Sequence, residues 1–327
     1  MATALVLAII CLLAGWFYSN LLPAGKNRLI KYRVNQGDGV RKIAVDLLER
    51  GIVQSAFAFK LQAIFSGTAF KFKPGIYELD SNMPASKIAR VLSKGRYRQK
   101  LVFIPKGATL ADIDEILASE GIIFPNELLN FSLEKSNLKK KYPFLKQVNN
   151  LEGFLYPDTY YFRLDCSIED VLRKFLDNFQ DKVWPRISNR RDWFNILILA
   201  SLLEKEVITL KDKKLVAGVL LNRLNQKIPL QVDATVVYIK CGKRFLTCQP
   251  DLLNLRKTDF QIKSLYNTYR NLGLPPFPIA NFGLESLEAA ISPIPNDYLY
   301  YLSAKGTKKT IFSKTLKQHN YNRYLYR

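Results

Sequence analysis

Two glutamates, Glu204 and Glu206, sit in the run Ile196 to Ile208, ILILASLLEKEVI, which has helical period and is apolar nearly all round. A carboxyl on a buried helix is costly unless it is paired or put to chemical use. Two positions apart on a helix, the pair points about 200° apart. They cannot share one cleft, so at most one is expected to do chemistry. Glu206 shares its face with Leu199, Leu202, Leu203 and Leu210, a crowded apolar surface. Glu204 shares its face with Ala200 and Ser201, whose small side chains leave room for a substrate. Glu204 is therefore the expected acid catalyst. The competing reading makes both acids structural, with Glu204 paired to a local Lys or Arg.

The elements that must carry such a group begin with an apolar N-terminus. Ala2 to Leu22 holds no charged side chain, the first after it is Lys26, and Trp16, Phe17 and Tyr18 fall where an interfacial aromatic belt would lie. Residues 1–25 are read as an uncleaved single-span anchor, with a cleaved signal peptide as the alternative. Lys26, Arg28, Lys31 and Arg33 follow the span and nothing basic precedes it, so charge counting alone puts the bulk of the chain in the cytoplasm.

The remaining ~300 residues suffice for two or three domains with real cores. Forty-nine Lys and Arg against 28 Asp and Glu give a net charge of +21. Nucleic acid is the reflex partner for such a charge, yet the lysines are dispersed and no zinc-ligand spacing or nucleic-acid signature accompanies them. An anionic membrane surface or an acidic wall polymer suits an anchored protein better, and no nucleic-acid partner is expected. His319 is the only histidine, which argues against a Ser-His-Asp triad and a multi-histidine metal site; no metal or cofactor is expected. Of four cysteines, Cys241 and Cys248 flank a Gly-containing loop and suit a bridge in an oxidising compartment.

Two segments repeat about 70 residues apart. Each reads as a strand (Tyr32-Arg33-Val34; LVFI from Leu101), a turn glycine (Gly37; Gly107), an amphipathic helix and a helix-capping glycine (Gly51; Gly121). Lys139 to Asn150 is polar and reads as a linker or a domain edge. Past it come the glutamate helix, a second helix over Lys213 to Leu224, and a strand over Gln231 to Tyr238. A loop follows, then a short helix around Ser286 to Ile291, and a closing hairpin over Tyr298 to Ser303 and Thr310 to Ser313.

Six motifs then occur in order: LEGFLYPDTY (151–160), ASLLEKE (200–206), QVDATVVY (231–238), YNTY (266–269), GLPP (273–276) and a terminal HN (319–320). With the N-terminal span and the paired strand-helix modules they resemble the MltG (YceG-like) endolytic murein transglycosylases over nearly the whole chain from Tyr32. The resemblance implies an α+β protein: a transmembrane helix, a LysM-like module over 30–98, a second strand-helix module and linker over 99–148, and a larger catalytic domain over 149–327. It implies a bacterial inner-membrane protein, single-pass, with the bulk in the periplasm. It further implies cleavage of the MurNAc-β-1,4-GlcNAc bond of nascent glycan strands to 1,6-anhydroMurNAc ends, with peptidoglycan synthases as possible partners. The first glutamate of the E-K-E pair, Glu204, takes the acid role in this mapping.

One carboxyl suffices for that reaction, whereas a hydrolase usually needs a second at about 5 Å or about 6.5–9.5 Å. Glu152, Asp158 and Asp233 are the candidates, although Asp158 after Pro157 also reads as a turn residue and Asp233 as a loop-orienting one. Gln231, Tyr266 and Asn267 suit a sugar site, since aromatics stack on pyranose faces and amides bind hydroxyl and acetamido groups. Phe277 and Phe282 depart from the family's Gly and Pro. The competing functions are an anchored, non-catalytic peptidoglycan binder and a muramidase-type hydrolase.

Overall fold

The computed structural model describes residues 2–25, 28–35, 37–95, 99–164, 166–304, 306 and 309–326. The chain is a mixed α+β protein with three two-stranded sheets among the described residues. It divides into two compact units, the first comprising residues 1–100, 121–123 and 161–167 and the second the remainder.

In the first unit, helix α1 (Ala2–Ser19) precedes strand β1 (Leu29–Val34). Most of the apolar side chains of α1 are exposed, Leu12 most of all. Among the described residues no helix is long and apolar enough to cross a membrane. The expected span over Ala2 to Leu22 is thus present as an exposed apolar helix of 18 residues. Helices α2 (Val40–Glu49) and α3 (Ala56–Phe65) follow, then β2 (Gly75–Asp80) and α4 (Ala85–Lys94). β1 and β2 pair antiparallel with Tyr32 opposite Tyr77. Burial of Tyr32, Ile43, Leu47, Phe59, Leu79, Ile88 and Leu92 holds the helices to this ribbon. The turn and capping glycines named from the repeat, Gly37, Gly51, Gly107 and Gly121, all have positive φ, between 69° and 90°. Only glycine takes that conformation without a steric cost.

β3 (Gln99–Phe103) pairs with β4 (Thr159–Arg163). In the second unit, α5 (Leu110–Ser119) opens on a reciprocal capping box between Thr109 and Asp112. The stretch over Lys139–Asn150 is not a linker. It overlaps the short helix α6 (Leu138–Lys141) and a 3-10 turn at Pro143–Leu145, and it buries Tyr142, Phe144 and Leu145. Its lysines face solvent and made it look polar, but Phe144 sits within 6 Å of the Phe154, Phe179 and Trp184 rings. Helices α7 (Ile168–Lys182), α8 (Trp184–Ile187), α9 (Trp193–Glu206) and α10 (Leu210–Asn225) follow.

Gln231 to Tyr238, expected as a strand, is instead the start of helix α11 (Asp233–Lys240). The β-branched Thr235, Val236 and Val237 favour a strand only weakly. Packing on α9, an acidic first turn at Asp233 and the Thr235 hydroxyl donating to the Val232 carbonyl (2.7 Å) fix the helix. The unit closes with α12 (Pro250–Leu253), α13 (Leu284–Ile291), the antiparallel hairpin β5 (Tyr300–Ser303) and β6 (Thr310–Ser313), and α14 (Leu316–Tyr326). α9 is the central rod, packed against α10, α11 and α13.

Candidate active site

A cavity of about 850 Å³ opens in the second unit beside the C-terminus of α9. Glu206 lines it and Glu204 does not. Leu210, expected on Glu206's face, does not belong to the same helix: α9 stops at Glu206, Val207 is extended, and Leu210 begins α10. The supposedly crowded face therefore ends where the cavity begins. Burial pushes the Glu206 carboxyl up to about 7, and the charge of Asp233 adds to the shift. Hydrogen bonds from the Tyr301 hydroxyl to Oε2 (2.7 Å) and from the Ala234 backbone oppose it without cancelling it. A helix C-terminus is also an unfavourable place for a negative charge. This carboxyl holds a proton near neutrality and can release it, which is the property a general acid requires.

Glu204 lies on the other side of α9, in a different role. Its Oε2 accepts from the Gly283 backbone N–H (2.9 Å) and the Ser286 hydroxyl (2.6 Å), and Lys213 Nζ stands 3.4 Å from Oε1. Gly283 and Ser286 are the N-cap and third residue of α13, so Glu204 caps that helix from outside and ties it to α9. The small neighbours, Ala200 and Ser201, are fully buried; they admit a packed loop, with the Ile279 N–H donating to Ser201 Oγ (3.1 Å).

Of the other sequence candidates, Asp233 and Gln231 line the Glu206 cavity. Asp233 accepts a hydrogen bond from the Tyr269 hydroxyl. Gln231 has φ +54°, a strained conformation for a side chain of its size. It is held there by its N–H to the Thr268 carbonyl (3.1 Å) and by Arg223, which donates to Gln231 Oε1 (2.5 Å) and to the Pro229 and Leu299 carbonyls.

The structure does not bring the remaining four into that cavity. Asn267 is fully buried and donates to the Phe260 and Ile262 carbonyls while accepting from the Tyr269 N–H, so it shapes the loop that presents Phe260 and Tyr269. Tyr266 packs on Tyr238 with ring centroids 5.2 Å apart. Glu152 is buried under α5, accepting from the Leu110 N–H (3.0 Å) and the Tyr238 hydroxyl (3.1 Å), and burial pushes it up to about 8. Asp158 bonds Lys182 (2.6 Å) and Asn178 (3.0 Å), which hold its carboxyl down to about 2.

Residues not expected in the site from the sequence, Tyr300, Tyr301 and Arg223, complete the cavity together with Lys205, Tyr269 and His319 from the ASLLEKE, YNTY and HN motifs. Tyr269, Tyr300 and Tyr301 give it an aromatic wall, Arg223 and Lys205 give it cations, and His319 stacks on Tyr300 at 5.2 Å. Lys205 Nζ sits 4.0 Å from the centre of the Phe245 ring and donates to the Gly107 carbonyl (3.3 Å). A Cβ at Gly107 would stand 3.1 Å from that nitrogen, so this glycine permits both a left-handed turn and a close approach. The loop bearing Phe245 is closed by a disulfide between Cys241 and Cys248 and by the Phe245 and Leu246 N–H groups on Asp112. The aromatic density of Tyr298 to Tyr301 was the available signal; nothing local said that the hairpin would fold back over the end of α9.

The YceG-like family model matches residues 32–324. The chain belongs to the YceG-like family. A Bacillus subtilis protein named endolytic murein transglycosylase is 33% identical over 92% of this chain and 86% of its own length. A Streptococcus pneumoniae protein of the same name is 27% identical over 93% of this chain, which spans 60% of that relative's length. The crystal structure of a YceG-like protein from Listeria monocytogenes covers 91% of this chain and all of its own, with a TM-score of 0.59 at 28% identity. Phe277 and Phe282 lie outside the cavity lining: Phe282 is core, and Phe277 meets Phe194 edge-on at 5.2 Å.

Proposed function

We infer that this chain is an endolytic murein transglycosylase whose acid is Glu206. The observation that carries the residue assignment is the proton-holding Glu206 carboxyl at the wall of an aromatic- and amide-lined cavity. The relatives' shared name carries the reaction class. Glu206 donates its proton to the glycosidic oxygen between MurNAc and GlcNAc, and the C1–O bond breaks. The resulting carboxylate takes the proton of the muramyl C6 hydroxyl as that oxygen closes on C1, leaving a 1,6-anhydroMurNAc end and a protonated acid. No water is consumed. Tyr301 aims the carboxyl, Gln231 and Arg223 suit the amide and hydroxyl groups of the sugar, and Tyr269 and Tyr300 suit its faces.

Asp233 shares the cavity with Glu206, and a muramidase-type hydrolase would use it as its second carboxylate. Incubating full-length chain with purified glycan strands and weighing the products separates the readings. Anhydro ends support the transglycosylase, reducing ends the hydrolase, and intact strands a peptidoglycan binder.

The exposed apolar helix Ala2–Ser19 supports an inner-membrane anchor, and the Cys241–Cys248 bond supports an oxidising compartment such as the periplasm. Residues 30–98 act as a LysM-like module that holds the glycan. Tethered this way, the enzyme reaches nascent strands beside peptidoglycan synthases and terminates their elongation.

A further inference from the structure

The first unit carries an apolar helix face that its own core does not use. On α3, Phe59 and Ala63 point inward and are fully buried, whereas Phe57, Ile64 and Phe65 are exposed, Phe65 to 79%. With half-buried Leu61 they occupy positions i, i+4, i+7 and i+8, a stripe about 100° wide on a helix. Phe70, in the turn that follows, is 91% exposed. Scattered exposed apolar residues are ordinary, but three aromatics and an isoleucine within fourteen residues on an amphipathic pattern mark a surface that meets something apolar.

What it meets is indicated by how α1 joins the unit. The residues just past α1 do not form a spacer. Leu21 packs on the core, its carbonyl accepts from the Ala85 N–H (3.1 Å), and Gln54 Nε2 donates to the Leu22 and Pro23 carbonyls (3.3 and 2.8 Å). Gln54 directly precedes Ser55, the N-cap of α3. The end of the exposed apolar helix is therefore bolted within two or three residues of the first exposed phenylalanine. Between residues 29 and 95 there are eleven Lys and Arg against five Asp and Glu, with Lys60 and Lys71 beside the apolar stripe. An apolar stripe flanked by cations is the composition of a helix that lies in an anionic bilayer interface.

We propose that the Phe57, Leu61, Ile64, Phe65 and Phe70 face docks on the anionic lipid surface of the membrane that holds α1, so that the module rests against the bilayer. The proposal rests on the anchor reading of α1. Its consequence is that the LysM-like module is fixed in height and orientation above the membrane, and the glycan it guides is met close to the lipid surface.

The test uses the full-length chain with Cys11→Ser and Cys166→Ser, reconstituted in phosphatidylethanolamine–phosphatidylglycerol liposomes. A nitroxide is placed in turn at Leu12→Cys, Phe65→Cys and Phe70→Cys. Collision with oxygen, which concentrates in lipid, is compared with collision with a water-soluble nickel chelate. The proposal expects oxygen to dominate at all three positions, and dominance to be lost at position 65 when Phe57→Asp and Phe70→Asp are added. Aqueous accessibility at 65 and 70 with position 12 immersed overturns the proposal and leaves the anchor standing. Aqueous accessibility at position 12 removes the anchor and the proposal together. Dipolar broadening between labels at position 65, without immersion, assigns the face to a second copy of the chain and also overturns it.

Discussion

Replacing Glu206 by Gln should stabilise the protein, and more so as the pH rises. The carboxyl is raised from 4.5 to about 7 in the folded chain. A raised acid costs nothing below its unfolded value, where it is protonated in both states. The cost appears as pH rises above 4.5 and is complete once pH passes the folded value. Worked through, the cost is about 1 kcal/mol at pH 5 and about 3 kcal/mol at pH 8. Gln is close to the protonated carboxyl in shape, keeps an oxygen for the Tyr301 hydroxyl, and does not ionise. The stability difference between E206Q and wild type should therefore grow by up to about 2 kcal/mol between pH 5 and pH 8, an upper bound because the carboxyl opens onto the cavity and is partly screened. At about 2–4 °C per kcal/mol for a unit of some 200 residues, this is a relative gain in Tm of up to about 4–8 °C. Calorimetry of both proteins at the two pH values reads it directly, with Glu152 cancelling in the difference. An equal Tm difference at both pH values would mean that Glu206 titrates as an ordinary carboxyl, and the argument for it as the acid would fail.

The same network sets the pH profile of cleavage. Asp233→Asn removes a negative charge that helps keep Glu206 protonated, so activity should begin to fall at a lower pH than in wild type. Tyr301→Phe removes a hydrogen bond to the carboxylate form, so the fall should move to higher pH, with kcat lower by up to about tenfold; rate against pH checks both. Asp158→Asn should leave cleavage unchanged and cost at most about 1 kcal/mol in urea unfolding, because its pair with Lys182 is over a third exposed on each side. Cys241→Ser with Cys248→Ser should cost about 2–3 kcal/mol or less and raise KM more than kcat, since the bond closes the loop that carries Phe245 to the cavity.

Periodicity was a good guide to the elements whose apolar faces are built locally. Ile43 and Leu47 sit where a 3.6-residue pattern puts them, and the glycines at 37, 51, 107 and 121 have the backbone that their positions demand. The α11 segment is not legible as a helix because Val236 and Val237 suit either state, and contact with α9 decides between them. In Lys139–Asn150 three lysines in a row mask the apolar pattern of Leu138, Tyr142 and Phe144, which the fold buries.

At the site, the sequence isolates the E-K-E pair and allows at most one member to be chemical. It chose Glu204 on the size of the neighbours. Which glutamate faces a cavity depends on where α9 stops, and on β5 and α14 returning from about 100 residues away with Tyr301 and His319. Neither fact is written in thirteen residues. The pairing of Glu204 with Lys213, weighed as the bland alternative, is present in the structure.

The central claim is that Glu206 is the acid and Glu204 a helix tie, and one comparison separates them. Full-length wild type, E206Q and E204Q are incubated with purified glycan strands, and 1,6-anhydroMurNAc ends are counted by mass spectrometry, with each protein's fold checked by circular dichroism. The account predicts that E206Q loses roughly 10²–10⁴ in rate while remaining folded. It predicts that E204Q keeps cleaving at the temperature where it is folded, at reduced thermal stability because the Lys213 and α13 contacts weaken. A folded E204Q without activity beside an active E206Q would contradict it.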